Sequence, residues 1–423
     1  MSGKYYYKYL FVFTALTFIV ISELFYSNPL YKYSEEYILS TQYSGKFESS
    51  YFKFLQALSY IGENETYAIS LIIAFAALHR TRAFYYIFSV NCIVGIQHIL
   101  KAIYHSPRPY MRVEEIIPKS CSSSYGHPSG HTFQAIAYLL VIWFDYWKNK
   151  PAHKYHSYKI AKFTSLIFIL AFSIFMGISR VYVGVHAFNH VLYGWLLGVW
   201  MAIFLHFCLR DRIINHIDIL LRYKNRDNLR NSGYDTQYWL ALASLYYFGS
   251  LTLYFGSFIY AQMTFDIPEI WIERTIKKCG SPPLSASFEY KTFVSAGYPI
   301  IVYISYIVLL YGSNFSQREQ QYKQLERKET LGSLVIRIVI ITLITSPAWL
   351  LFLYIPKNDN IVLVFLFQSF VPSLYCGSIL FKYIDLIYAF ININLVPEWQ
   401  IKQIIDNDES DIDQNDLQRS LII

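Results

Sequence analysis

The sequence predicts an all-α fold, a polytopic transmembrane helix bundle of about ten spans. Three observations carry that prediction. Only 15% of the 423 residues are charged and 54% are hydrophobic, whereas soluble domains carry about 25% charged residues. Ten apolar segments approach the roughly 20 residues with which a helix crosses a bilayer. Lys and Arg gather in alternate connections, as cytoplasmic loops require.

The segments run over 9–26, 66–79, 83–104, 130–147, 160–178, 186–208, 237–260, 293–312, 333–355 and 361–381. The second is short and meets the polar "HRTR"; the tenth carries Pro372 and leads into an amphipathic stretch. The first lacks a small-residue cleavage site and reads as an anchor rather than a signal peptide. With the N-terminus inside, the inner connections hold Lys4 and Lys8, Arg80 and Arg82, Lys148 to Lys159, Arg210 to Arg230, and Arg318 to Lys328. Outer cations are balanced by acids, as Lys32, Lys46 and Lys53 are by Glu35, Glu36, Glu48, Glu63 and Glu65. Both termini are then cytoplasmic. The end of the chain, with "DNDESDIDQND", reads as a disordered acidic tail.

The aromatic content of 19%, with 40 Tyr, fits anchoring at the membrane–water boundary. The net charge of +7 belongs to inner loops and forms no basic stripe, so no nucleic-acid partner is expected. Cys121 and Cys279 fall in outer loops, an oxidising setting in which a disulfide between them is an option. Asn64-Glu65-Thr66 is a glycosylation sequon on that side, close against a span and so poorly placed for use.

Three polar clusters sit at outer ends of spans. "KAIYHSPRP" carries Lys101 and Arg108; "HPSGH" carries Ser129, Gly130 and His131; "SRVYVGVH" carries Ser179, Arg180 and His186. Alone, each has a bland reading: a snorkelling Lys, a Ser helix cap beside a turn glycine, an interfacial Arg and His. Together they suit a phosphate. Lys101, Arg108 and Arg180 neutralise non-bridging oxygens. The Ser129 and Gly130 N–H groups open a helix whose dipole favours an anion, and glycine lets backbone approach it. One histidine attacks phosphorus while the other protonates the leaving alcohol, a general-acid contribution of about 10²–10⁴-fold. The outer loops hold no carboxylate cluster for a cation, so the chemistry is expected to need no metal and no cofactor.

The pattern Lys–six–Arg-Pro, Pro-Ser-Gly-His, Ser-Arg–five–His resembles that of the type 2 phosphatidic acid phosphatase superfamily, with every fixed position present in order over roughly residues 50–208. The resemblance implies a six-span phosphatase core at 50–208, although five of the ten apolar segments fall within those bounds. An N-terminal anchor span and outer loop (1–49) precede it; additional spans of unassigned role (209–392) and the acidic cytoplasmic tail (393–423) follow. It implies His186 as the nucleophile that forms a phosphohistidine, and His131 as the acid that later activates water. Lys101, Arg108, Ser129, Gly130 and Arg180 would hold the phosphoryl group. Many members place an Asp four residues after the nucleophile. Here "HAFNH" has His190, a candidate orienter that brings no negative charge. His105 and His127 lie beside the motifs and read as interfacial.

The expected function is hydrolysis of a phosphomonoester at the lumenal or extracellular face, with the endoplasmic reticulum or another endomembrane favoured over the plasma membrane. A phosphorylated lipid is the favoured substrate, because its chain can stay in the bilayer. The alternatives are a glucose-6-phosphatase-like sugar phosphatase and an inactive membrane scaffold or lipid-binding protein. The outer loop 261–292 reads equally as a cap on the site, a substrate selector or a plain connection. Membrane lipids are expected neighbours; oligomeric state is not readable from sequence.

Overall fold

The computed structural model describes residues 3–44, 50–61, 64–122, 124–148, 150, 156–222, 236–280, 294–311, 331–354 and 361–391. Among these, regular structure is helical throughout. In chain order come α1 (Gly3–Tyr43), α2 (Ser50–Ile61), α3 (Asn64–Ala77), α4 (Arg80–Tyr104), the short α5 (Pro109–Arg112), α6 (Gly130–Lys148) and α7 (His156–Tyr182). Next is α8 (Phe188–Phe204), which runs through a π turn into α9 (Arg210–Arg222). Then follow α10 (Thr236–Thr264), α11 (Glu269–Cys279), α12 (Gly297–Tyr311), α13 (Leu331–Tyr354) and a last stretch, Ile361–Ile391, interrupted by two π turns. The Asn64 side chain and residues 393–423 lie outside the described set.

Each of the ten expected segments falls on a helix, yet among the described residues seven helical stretches are long and apolar enough to cross a membrane. The other three fall short for identifiable reasons. Helices α3 and α12 have 14 and 15 residues, below the roughly 20 that a bilayer needs. Helix α6 has 19 residues but carries His131, Gln134, Asp145 and Lys148.

The helices form two compact units, one of residues 1–66, 92–209 and 253–292, the other of 67–91, 210–252 and 293–423. The second has its own apolar core, with Phe75 edge-on to Phe381 at 5.0 Å and Tyr247 stacked on Tyr303 at 4.6 Å. The first carries all three motif clusters. There α1 lies along α8: Trp200 Nε1 donates to Val12 O at 2.8 Å, Asn189 Nδ2 to Ser27 Oγ at 3.0 Å, and the Phe188 N–H to Ser34 Oγ at 2.7 Å. The last of these caps the start of α8 from a distant helix, satisfying an N–H the helix itself cannot.

Helices α6 and α8 meet through small residues, the usual way membrane helices approach closely. A Cβ on Gly198 would stand 2.3 Å from Ile136 Cγ2 and 2.9 Å from the Phe133 carbonyl oxygen. Backbone cannot swing aside as a side-chain tip can. We expect Gly198→Ala to force the pair apart and destabilise the protein by about 1–3 kcal/mol, read as a lower thermal midpoint in detergent. Gly249→Ala, where nothing lies within 4 Å, is the control and should leave the midpoint in place. Equal midpoints for both variants would refute the close contact.

Candidate active site

The first unit collects the motif residues from five chain segments. Lys101 lies in the last turn of α4, Arg108 stands immediately before α5, and Ser129 stands immediately before α6. Arg180 lies in the last turn of α7, and His186 occupies the turn between α7 and α8. Lys101, Arg108, Ser129, Arg180, His186 and His190 are all buried. His131, in the first turn of α6, is partly exposed.

Arg108 is the centre of the arrangement. It is 2% exposed, and its fork is held on three sides. Nε donates to Ser124 O at 2.7 Å, Nη1 to Val185 O at 2.9 Å, and Nη2 to Ser122 Oγ at 3.0 Å and Ser124 Oγ at 3.3 Å. These acceptors are carbonyls and hydroxyls, and among the described residues no carboxylate pairs with this guanidinium. A buried cation solvated only by dipoles is an electrostatic invitation to an anion. Lys101 Nζ reaches the same Ser124 Oγ at 3.5 Å, so two of the expected phosphate ligands converge on one loop. The Arg180 guanidinium donates to the Ser59 hydroxyl of α2, and its carbonyl accepts the His186 N–H at 3.2 Å.

Arg108 also fixes the tautomer of His186. Nη1 lies 3.1 Å from His186 Nε2, and a guanidinium can only donate. Nε2 therefore carries the lone pair, and the ring proton sits on Nδ1. That Nδ1 is buried and has no hydrogen-bond partner among the described residues. Burial, reinforced by the charges of Arg108 and Arg180, then by His190 and Lys101, holds the imidazole well below its usual pKa. The neutral, nucleophilic form is thereby favoured at pH 7.

Three expectations need correction. His190 does not orient His186: its Nδ1 accepts the Ala187 N–H at 3.4 Å, its Nε2 pairs with Ser106 Oγ at 3.0 Å, and the two rings meet edge-on at 5.7 Å. The N–H of Ser129 does not await an anion but donates to His190 O at 3.0 Å, while Ser129 Oγ pairs with Thr132 Oγ1 at 2.9 Å. Around Gly130 a Cβ would meet only the amide end of Gln97, 2.3 Å from Nε2, a side-chain tip that can swing aside, so packing alone does not demand glycine there. His127 is likewise not interfacial. It is 1% exposed, stacks on Tyr193 at 4.8 Å, and burial pushes it down to about 3. It is uncharged at neutral pH, so its 3.5 Å approach to Glu23 is not an ion pair. His105 packs flat on Phe265 at 4.7 Å.

Several contributors escaped sequence reasoning. Ser122, Ser124 and Tyr125 hold Arg108, and the serine-rich "SCSSSY" between apolar segments was their visible signal. Ser59 and Ser34 had no such signal. Neither did Tyr31, which donates to Pro107 O at 3.1 Å and meets His190 edge-on at 5.4 Å. The structure also joins Cys121 to Cys279 in a disulfide, with Cα atoms 5.7 Å apart.

Residues 82–214 match the model of the PAP2 superfamily. That segment is a PAP2 superfamily domain. It takes in all three motif clusters, while α1, α2 and α11 lie outside the match. Among solved structures, the chain is similar to one described as the first transmembrane PAP2 type phosphatidylglycerolphosphate phosphatase from Bacillus subtilis. The identity is 20%, the match covers 46% of this chain and 93% of that one, and the TM-score is 0.38. No curated protein matches the chain.

Proposed function

We propose that this PAP2 protein is an integral-membrane phosphatase that hydrolyses a phosphomonoester, by preference a phosphorylated lipid, through a phosphohistidine on His186. The observation that carries the reading is the 3.1 Å approach of Arg108 Nη1 to His186 Nε2. It puts a buried cation, able to take a phosphoryl oxygen, beside the lone pair that would attack phosphorus.

The chemistry follows from the residues. Arg108, Lys101 and Arg180 take up the charge of the non-bridging oxygens as phosphorus becomes five-coordinate. Nε2 of His186 forms the P–N bond as the P–O bond to the alcohol breaks, and His131 gives that alcohol its proton. His131 then accepts a proton from water as the water oxygen attacks phosphorus. The P–N bond breaks, inorganic phosphate leaves, and Nε2 recovers its lone pair. Among the described residues no three His, Cys, Asp or Glu side chains are grouped to hold a metal ion, so charge neutralisation is assigned to the three cations.

Placement of the site on the lumenal or extracellular face, with both termini cytoplasmic, is supported by the Lys and Arg pattern. The Cys121–Cys279 bond also supports it, since disulfides persist in oxidising compartments. An endomembrane is favoured. A lipid substrate is supported by a site set at the ends of apolar helices, where a head group can enter while the chain remains in the bilayer.

The test is release of inorganic phosphate by the purified full-length chain, in chelator, from sphingosine 1-phosphate, phosphatidate and glucose 6-phosphate. We expect chelator-resistant release with a lipid preferred. Preference for glucose 6-phosphate would reassign the substrate to sugars, and loss of all release in chelator would overturn the metal-free mechanism.

The pH profile adds a second expectation. A lowered His186 pKa keeps the nucleophile neutral as pH falls through 6.5, so the acid limb of kcat/KM should not be set by this imidazole. It should instead track the second ionisation of the substrate phosphate, about 6. A limb fixed at 6.5 for two substrates whose phosphate pKa values differ would show an ordinarily titrating His186.

A further inference from the structure

Helix α11 lies outside the superfamily match, yet it is fastened to both chain segments that build the Arg108 site. The first is α5, which Arg108 precedes. Helix α5 has four residues, so its carbonyls have almost no partners within the helix. Two cations of α11 supply donors instead. Lys278 Nζ donates to Tyr110 O and to Val113 O, both at 2.9 Å. Arg274 Nη1 donates to Met111 O at 3.2 Å and to Arg112 O at 2.5 Å. The four successive carbonyls of residues 110–113, beginning two residues after Arg108, are therefore held by two side chains from one distant helix.

The second segment is the loop 121–125, whose Ser122 Oγ, Ser124 O and Tyr125 O accept from the Arg108 fork. Its first residue, Cys121, is bonded to Cys279 at the end of α11. Trp271 and Ile267 pack into the apolar cluster of Tyr110 and Met111, and Glu114 faces Lys277 at 3.3 Å and Arg274 at 3.7 Å. One helix thus ties the backbone that carries the guanidinium to the loop that holds its donors.

We infer that α11 positions Arg108 for phosphate, with Arg274, Lys278 and the Cys121–Cys279 bond as its ties, so that releasing α11 weakens phosphate binding. This rests on the proposed reading that Arg108 receives the substrate phosphate. It gives α11, within the outer loop 261–292, a role that is neither a cap nor a plain connection. Misplacing a bound group by about 1 Å can cost on the order of 10²-fold in rate, so a brace that touches no substrate can still govern turnover.

The experiment uses the full-length protein in four forms: oxidised, mildly reduced with the open bond verified by thiol count, Cys279→Ser, and Arg274→Ala/Lys278→Ala. Lys278→Arg, which keeps a charge that can donate, is the rescue. Two quantities are read, the inhibition constant of inorganic phosphate and hydrogen exchange over residues 105–126. Releasing any tie should raise the phosphate constant about tenfold and speed exchange in 105–126, with KM rising more than kcat falls. Lys278→Arg should stay near the oxidised protein. A lowered thermal midpoint with an unchanged phosphate constant would overturn the inference, leaving α11 a structural support only. Unchanged exchange over 105–126 would overturn it as well. If the oxidised protein neither hydrolyses a phosphomonoester nor binds phosphate, the proposed function fails. Faster exchange over 105–126 on release would then support the brace independently, and unchanged exchange would overturn it.

Discussion

Replacing His186 with Ala should abolish phosphate release, by at least about 10⁴-fold, the scale on which losing a covalent nucleophile acts. The fold should survive, because the substitution removes one acceptor from an Arg108 fork that keeps Val185 O on the same Nη1 and Ser124 O on Nε. Thermal midpoint and phosphate affinity should therefore stay near those of the parent while turnover disappears. The covalent step gives a second readout. A P–N bond is labile in acid and stable in base, so rapid quenching in alkali should trap labelled phosphate on the parent and none on the variant. Retention of one per cent of the activity, or a trapped label in His186→Ala, would take the nucleophile's role from this residue. His190 is not in a position to replace it, since both of its ring nitrogens are engaged with Ala187 and Ser106.

The pieces legible in the sequence were those that local pattern controls. Apolar runs placed all ten segments on helices, since burying or lipid-embedding a helix demands continuous apolar surface. Length and interior polar residues then decided which of them can span, so α3, α6 and α12 fall short. The motif spacing named Lys101, Arg108 and His186, and the structure brings Arg108 onto His186 and sets Lys101 and Arg108 on Ser124.

What local pattern does not control was missed. Whether the Ser129 N–H faces solvent or a carbonyl depends on how α8 approaches α6, and it meets His190 O. Whether His190 reaches His186 depends on side-chain rotamers at the start of α8, where the N–H of Ala187 competes for the same ring nitrogen. Ser34, Ser59 and Tyr31 lie before residue 82, and only tertiary contact brings them to the site. The brace from α11 is a case of the same kind. Lys278 and Arg274 look like ordinary surface cations in sequence, and their partners are carbonyls more than 160 residues away.

Arg108→Lys should lower kcat/KM by about 10²–10³-fold, the range seen when one preorganised charge donor is removed, although the formal charge is kept. The reason is geometric. The guanidinium presents five donors in a rigid plane, and here they serve Ser124 O, Val185 O, Ser122 Oγ and His186 Nε2 at once. A lysine ammonium offers three donors at one point and cannot span acceptors on the 121–125 loop and the 185–186 turn together. Carbonyls left without a donor in this buried site cost about 1–3 kcal/mol each, so the loop relaxes and Ser124, shared with Lys101, shifts with it. The loss should therefore appear in KM as well as kcat, and phosphate should bind more weakly in proportion. Arg108→Ala should be worse in both, because it removes the charge too. A Lys variant within threefold of the parent would show that charge alone matters at this position, and that the fork facing Nε2 of His186 is incidental to catalysis.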